Sequence, residues 1–142
     1  MTLPNKSTLF KNNIRDSDDR GEILSVIDET IKNVSIITCN ACSIRSNHYH
    51  HNDFHFMYVL EGEIDYFFID NETKDIEYIK VKVGETIFTP KNEIHSTYFP
   101  KKTKMVVGSK FSRDKETYET DTVRVSFVTL ENIKDMLKRY GD

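Results

Sequence analysis

The chain has 142 residues, of which 37% are hydrophobic and 11% aromatic, and this length and composition suit a single compact domain with a sizeable core. Its 20 basic and 23 acidic residues give a net charge of −3 at pH 7, which argues against nucleic acid as a partner. No apolar run approaches the roughly twenty residues of a membrane span, and the N-terminus lacks the apolar core of a signal peptide, so we expect a cytoplasmic protein with no membrane partner.

Short strands are predicted along most of the chain. Residues 1–20 are polar, and we predict an irregular N-terminal segment there, followed by a first strand at 22–27. Further runs rich in β-branched and aromatic residues, separated by turn residues, predict strands at 34–39, 44–50, 55–60, 63–70, 76–83, 86–89, 95–99, 104–111 and 122–128. Many short strands at this spacing are typical of a β-barrel or jelly roll.

The C-terminal residues follow a helical pattern instead. Apolar side chains recur at i, i+3, i+4 and i+7 in Ile133, Met136, Leu137 and Tyr140. This spacing predicts a short amphipathic helix that stops at Gly141. We therefore divide the chain into an irregular segment at 1–20, a barrel domain at 21–130 and a C-terminal helix at 131–142.

Cys39 and Cys42 form a C-x-x-C pair at the end of a predicted strand. Redox motifs of this spacing usually lie at the start of a helix, and a zinc ribbon requires a second pair that the sequence lacks. We interpret both thiols as structural, with an oxidation-prone pair as the alternative.

Four of the five histidines have a spacing that favours a shared metal ion. His48 and His50 are two residues apart, so both point to one face of a strand, and His55 begins the next strand. His95 lies about forty residues further on and reaches the others if an antiparallel neighbour returns. Several neutral imidazoles converge more readily around a divalent ion than without one. His51 is expected to face away by the same alternation.

The strand that begins at His55 also has two distinct faces. The alternation places His55, Met57 and Val59 on one face and Phe56, Tyr58 and Leu60 on the other. An outward apolar face requires a cover, so we predict a homodimer.

Two segments resemble the motifs of the cupin family. Residues 42–62 resemble the first motif through His48, His50 and the closing Gly62, and residues 84–95 resemble the second through Gly84, Pro90 and His95. The resemblance implies an all-β, single-domain cupin, which is a double-stranded β-helix or jelly-roll barrel. It also implies that His48, His50, His55 and His95 bind a divalent transition metal, which is Zn, Ni, Mn or Fe.

Four positions depart from those motifs. Cys42 and Asn92 stand where the motifs have glycine, and Phe99 stands where the second motif ends in asparagine. His55 replaces the glutamate of the first motif, so the metal site has four histidines and no anionic ligand. Such a site leaves the ion its full positive charge and strengthens its pull on an anionic substrate.

A narrower resemblance covers residues 45–51, the spacing on to Gly62, and residues 118–122. These are similar to cupin domains of bacterial capsule and O-antigen sugar-nucleotide enzymes. The resemblance implies a nucleotide-sugar substrate and an epimerase or isomerase that acts through a metal-stabilised enolate. The alternatives are an Fe(II)-dependent dioxygenase acting on a small substrate, because neutral histidines suit Fe(II), and a cupin that binds a small ligand without turnover.

The candidate catalytic residues are Tyr66, Glu93 and Arg45. A tyrosine can donate a proton to an enolate, and Glu93 is a candidate base two residues before His95. Arg45 points to the face opposite His48 if the strand is regular. Each has a plainer alternative: a core or rim tyrosine, a solvated loop carboxylate and a surface arginine.

Overall fold

The computed structural model describes residues 3–11 and 14–141, which form twelve strands and two helices. The strands of the N-terminal half are β1 Thr8–Phe10, β2 Ile14–Asp18, β3 Gly21–Leu24, β4 Asn33–Cys39, β5 Ser43–His50, β6 His55–Glu61 and β7 Glu63–Ile69. The remaining elements are β8 Ile76–Lys82, β9 Thr86–Thr89, β10 His95–Phe99, β11 Thr103–Ser109, α1 Lys115–Asp121, β12 Thr122–Arg124 and α2 Ile133–Tyr140.

Two antiparallel five-stranded sheets face each other across one apolar core. Their strand orders are β1-β9-β6-β11-β4 and β12-β5-β10-β7-β8. Alternate residues of the central strands point inward, so Val59 of one sheet and Ile64 of the other meet in a core that contains no exposed member. The predicted all-β jelly-roll fold is confirmed, and the strands from β4 to β11 begin and end within two residues of their predicted positions.

The N-terminal segment differs from the irregular structure predicted for residues 1–20. β1 pairs with β9 and forms an edge of the first sheet, and β2 and β3 form a separate two-stranded hairpin. The polar composition of β2 concealed this hairpin, because its strands are joined by backbone hydrogen bonds and their described side chains are largely exposed. The first predicted strand at 22–27 is also shorter, since β3 ends at Leu24.

The strand predicted at 122–128 is shortened to β12, and it is directly preceded by a helix that the sequence patterns did not predict. α1 begins after Asp114, whose side chain accepts a hydrogen bond from the Thr117 backbone N–H, and β12 ends at Arg124. The predicted C-terminal helix is confirmed as α2. Its Ile133 and Met136 pack against Phe67 on the outer face of the second sheet. Among the described residues, no helix is long and apolar enough to cross a membrane.

Apolar side chains are exposed at one sheet edge. β4 is an edge strand, and Val34 and Ile36 on its outer face are each 60% exposed. In contrast, the predicted outward face of β6 is partly covered within the chain, because Phe56 is buried against the rings of Phe54 and Phe88. The edge strand β4 is therefore the more open apolar surface.

A candidate active site built on four histidines

The fold brings the four predicted histidines together inside the barrel. His48 and His50 end β5, His55 begins β6 and His95 begins β10, where the antiparallel register places His95 opposite His48. The centroid of the His48 ring lies 4.6 Å from that of His50 and 4.9 Å from that of His95. The centroids of the His50 and His55 rings are 4.8 Å apart. All four side chains are buried, whereas His51 is exposed, as its alternation predicted.

An irregularity in β5 changes the position of Arg45. Ser46 and Asn47 have φ values of 71° and 57°, and the pairing of β5 with β10 skips a residue at this point. One extra residue reverses the alternation, so Arg45 lies on the cavity side rather than on the opposite face. Its guanidinium group donates to the Thr38 carbonyl and to the sulfur of Cys39.

A cavity of about 290 Å³ opens beside the histidines. The polar side chains with rings or charges that line it are His48, His55, Arg45, Arg113, Tyr118 and Arg124. The remaining lining residues are apolar or carry a hydroxyl group, and none of the described lining residues is Asp or Glu. The cavity is therefore positively charged at neutral pH, since arginine stays protonated.

Three of these residues come from the segment around α1, and the sequence patterns did not single out Arg113 or Arg124. The Arg113 guanidinium lies 5.4 Å from the centre of the Tyr118 ring, and its buried Nε has no hydrogen-bond partner in the described part of the chain. Arg124 pairs with Glu119 at 2.8 Å. A signal for this segment was Asp114, a favourable residue at a helix start, which predicts that Tyr118 lies on a helix.

Hydrogen bonds define the proton positions on two of the imidazoles. His95 Nδ1 lies 3.1 Å from the Glu93 carbonyl, which accepts only, so His95 carries its proton on Nδ1. The Thr122 hydroxyl donates to the Tyr118 carbonyl and therefore accepts from His50 Nδ1 at 3.2 Å. Both rings thus keep a lone pair on Nε2. His50 Nε2 and His48 Nδ1 are buried without a hydrogen-bond partner in the structure as described.

Burial keeps these imidazoles neutral. Together with the neighbouring histidines, burial lowers the pKa of His48 to about 2, of His50 to about 4 and of His95 to about 3. An imidazolium would lose its hydration shell and face other imidazoles, so the uncharged form is strongly favoured at pH 7. Neutral imidazoles are able to accept a proton or bind a metal ion.

His55 differs from the other three because it has a carboxylate partner. Its Nε2 lies 3.2 Å from Asp53 Oδ2. Burial alone would raise the pKa of Asp53, but the hydrogen bond and charge interaction with His55 keep that pKa below its usual value. Asp121 accepts the backbone N–H groups of Asn52 and Asp53 and so holds this turn in place.

The described residues fit the predicted metal ion only in part. The donor chemistry suits a divalent transition metal, since two buried imidazole nitrogens lack partners and the Nδ1–H groups of His50 and His95 are held by acceptors. However, no three His, Cys, Asp or Glu side chains of the described residues converge in the arrangement of a metal site. The metal therefore stays a prediction, and no reaction step below depends on it.

Tyr66 and Glu93 lie behind His95 and outside the cavity lining. The Tyr66 ring is nearly parallel to that of His95, at an angle of 12° and a centroid distance of 6.0 Å. Burial raises the pKa of the Tyr66 hydroxyl. The Glu93 carboxylate accepts hydrogen bonds from Ser7, and burial raises its pKa to about 7. The predicted catalytic roles of these two residues stay predictions.

The two cysteines are free thiols. Cys39 is buried, and burial raises the pKa of its thiol although Arg45 donates a hydrogen bond to it. Cys42 is exposed and has a φ of 62°, which explains why a related motif has glycine there.

Comparisons with known proteins agree with the fold. Residues 41–108 match the family model described as a cupin domain, and no curated protein sequence matches the chain. A mutant QdtA 3,4-ketoisomerase from Thermoanaerobacterium thermosaccharolyticum, solved with TDP, is 21% identical, with 99% of this chain and 100% of that chain covered and a TM-score of 0.65. A 3,4-ketoisomerase from Helicobacter canadensis is 15% identical, with coverages of 93% and 97% and a TM-score of 0.66.

A third structure extends the comparison to another reaction on a sugar nucleotide. The dTDP-4-dehydrorhamnose 3,5-epimerase from Sulfolobus tokodaii is 14% identical, with 89% of this chain and 81% of that chain covered and a TM-score of 0.66. At these identities the likeness establishes a shared fold.

Proposed function

Because the chain carries a cupin domain on a fold shared with sugar-nucleotide ketoisomerases and an epimerase, we propose that it isomerises or epimerises a keto-sugar attached to a nucleoside diphosphate. The observation that carries this proposal is the composition of the cavity. Histidines, one of them paired with Asp53, lie beside three arginines and a tyrosine, and the described lining residues include no acid. Proton transfer and anion binding are thus available in one place.

The arginines account for the nucleotide part of the substrate. A guanidinium group matches phosphate oxygens through paired N–H donors, and Arg113 has a buried Nε–H that no described residue accepts. A diphosphate group would satisfy this donor. The cavity of about 290 Å³ is at the small end of ligand sites, so it takes the sugar, while the nucleoside extends toward solvent.

His55 and its partner Asp53 supply the proton-transfer chemistry. His55 lines the cavity, and Asp53 stabilises the imidazolium that forms when His55 accepts a proton. In a 3,4-isomerisation, His55 takes the proton from the carbon beside the ketone, and the electron pair of the broken C–H bond forms an enolate. The proton then returns to the former ketone carbon while the hydroxyl proton moves between the two oxygens. Epimerisation differs only in returning the proton to the opposite face of the same carbon.

Tyr118 lies where its hydroxyl group can donate a hydrogen bond to the substrate oxygen atoms. Its ring lies 5.4 Å from that of His50 and under the Arg113 guanidinium, and it lines the same cavity as His55. Its hydroxyl can donate to the enolate oxygen, a role that the sequence patterns assigned to Tyr66. Tyr66 lies outside the cavity lining and does not line the same space as His55.

Proton exchange in deuterated water tests the proposal directly. The protein is incubated with TDP-4-keto-6-deoxyglucose, and the ring protons are followed by ¹H NMR. We expect loss of the signal at the carbon beside the ketone and the appearance of an isomer or epimer. His55→Asn should lower the exchange rate by about 10²- to 10⁴-fold, and His51→Asn, the exposed neighbour, serves as the matched control.

The outcomes separate the proposal from the other two functions. Binding of the nucleotide sugar, seen as a thermal shift, with neither exchange nor product would overturn the isomerase proposal and support a binding protein. Consumption of oxygen on addition of Fe(II) and a small acid would support a dioxygenase instead. Exchange that survives His55→Asn unchanged would refute the role of His55.

A further inference from the structure

The N-terminal segment contacts residues that lie next to His95, one of the four clustered histidines. Ser7, which directly precedes β1, is only 4% exposed, and β1 holds it in place by pairing with β9. Lys6 anchors the same segment through its ammonium group, which lies 3.3 Å from the Asp70 carboxylate. The segment thus carries a buried polar residue into the protein interior although its own strand lies at the sheet edge.

Ser7 binds the Glu93 carboxylate twice. Its backbone N–H lies 3.0 Å from Glu93 Oε1, and its hydroxyl also donates to that oxygen. Because the hydroxyl proton goes to Glu93, the Ser7 oxygen accepts from the Tyr66 hydroxyl at 2.6 Å, and Tyr66 accepts from Thr89 at 2.8 Å. The donors run in one direction, from Thr89 to Glu93, and successive hydrogen bonds of this kind strengthen one another.

Two members of this network, Glu93 and Tyr66, lie beside His95. The carbonyl of Glu93 accepts the His95 Nδ1–H at 3.1 Å, and the Tyr66 ring lies nearly parallel to the imidazole. Tyr66, Glu93 and His95 are at most 1% exposed, so no solvent replaces a lost partner. Loss of the Ser7 hydroxyl would leave the buried Glu93 carboxylate with only the backbone N–H of residue 7 as a donor from this segment. A buried carboxylate that loses a donor is destabilised, so the Glu93 side chain would shift and carry the Glu93 backbone with it.

We propose that Ser7 is a positioning residue for His95, and that the N-terminal segment acts through Glu93 and Tyr66 to hold His95 with its proton on Nδ1 and its Nε2 lone pair toward the histidine cluster. None of Ser7, Tyr66 and Glu93 lines the cavity. The consequence for turnover rests on the proposed function, whereas the proton position of His95 does not.

The test compares Ser7→Ala with Thr8→Ala. The Thr8 hydroxyl is on the same segment but donates to the Lys6 carbonyl and, among the described residues, to no member of the network, so its removal leaves the network intact. Two-bond ¹⁵N–¹H NMR spectra of ¹⁵N-histidine-labelled protein report which imidazole nitrogen carries the proton. We expect the Nδ1–H form of His95 in the natural protein and in Thr8→Ala, and a mixture of both forms in Ser7→Ala.

Kinetics provide the second measurement. Ser7→Ala should lower kcat by about tenfold to a hundredfold, the effect typical of removing a partner that orients a histidine, and leave KM unchanged because the arginines bind the substrate. If Ser7→Ala fails to fold, Tyr66→Phe removes the next hydroxyl of the chain and keeps the ring, and it should also mix the two forms of His95.

The results separate the two proposals. A His95 proton that stays on Nδ1 in both Ser7→Ala and Tyr66→Phe overturns the positioning role, and so does an equal change in Thr8→Ala. A natural protein that shows no isomerase activity but loses the Nδ1–H form in Ser7→Ala supports the positioning role and refutes only the proposed reaction.

Discussion

Gly62, the residue that closes the first motif, should tolerate no side chain. It has a φ of +85° in the turn between β6 and β7, and a Cβ atom built on it would lie 2.4 Å from Thr103 Oγ1 and 2.5 Å from the Lys102 carbonyl oxygen. The Thr103 Cα would be 2.8 Å away. Two of these three atoms are backbone atoms, so the contact is relieved only if the strand β11 moves.

The expected cost of Gly62→Ala has two parts. A positive φ costs an L-residue about 1–2 kcal/mol. Overpacking against neighbours that do not yield adds about 1–3 kcal/mol. The free energy of unfolding should therefore fall by about 2–5 kcal/mol, a large part of the stability of a typical domain.

Gly21→Ala is the matched control for the first part alone. Gly21 also has a positive φ, at +134°, but no heavy atom of the described residues lies within 4 Å of a Cβ built there. Urea denaturation followed by circular dichroism measures both variants. A cost for Gly62→Ala no greater than that for Gly21→Ala would refute the argument that close packing on Thr103 requires glycine.

Three further predictions concern binding, metal content and assembly. Arg113→Ala should weaken TDP binding by about tenfold to a hundredfold, because a charge-assisted hydrogen bond contributes about 1.5–3 kcal/mol; calorimetry should show no such loss for Arg139→Ala in α2, and equal losses would contradict the role of Arg113. Elemental analysis of protein without a histidine tag should find Zn, Ni, Mn or Fe. Most of this metal should be lost in His48→Ala or His95→Ala and retained in His51→Ala and His55→Glu. Absence of any metal from the natural protein would refute the metal prediction. Light scattering should give the mass of a homodimer. Val34 and Ile36 are both 60% exposed on the edge strand β4, so the double variant Val34→Lys, Ile36→Lys should have the mass of a single chain if this edge is the interface.

Local alternation in the sequence was sufficient to predict most strands and their buried faces. In β6 the inward residues His55, Met57 and Val59 are all buried, and the antiparallel return of β10 brought His95 opposite His48. The burial of one face of β6 follows from the two-residue period of a strand. The pairing of β10 with β5 joins strands that are distant in the sequence, so its prediction depended on the expected antiparallel return and on the resemblance to the two motifs.

The irregularity in β5 and the early end of β12 share a cause that no local pattern reveals. The Asn47 side chain accepts the backbone N–H groups of Phe127 and Val128 and donates to the Val128 carbonyl. These backbone groups would otherwise pair within a sheet, so the strand predicted at 122–128 ends at Arg124. The contact joins residues about eighty positions apart. It also accompanies the φ of 57° at Asn47, next to the irregularity that turns Arg45 toward the cavity.

The replacement of glutamate by His55 takes on a different meaning in the folded protein. The sequence indicated a site without a carboxylate, because His55 stands where the first motif has its acid. The structure provides a carboxylate two residues earlier, in Asp53, which is 3% exposed and bonded to His55. An acid at position 55 would project its own charge into the cavity and repel a diphosphate, whereas Asp53 lies outside the cavity lining. His55 and Asp53 together therefore retain a carboxylate for proton transfer while the arginines keep the cavity positive.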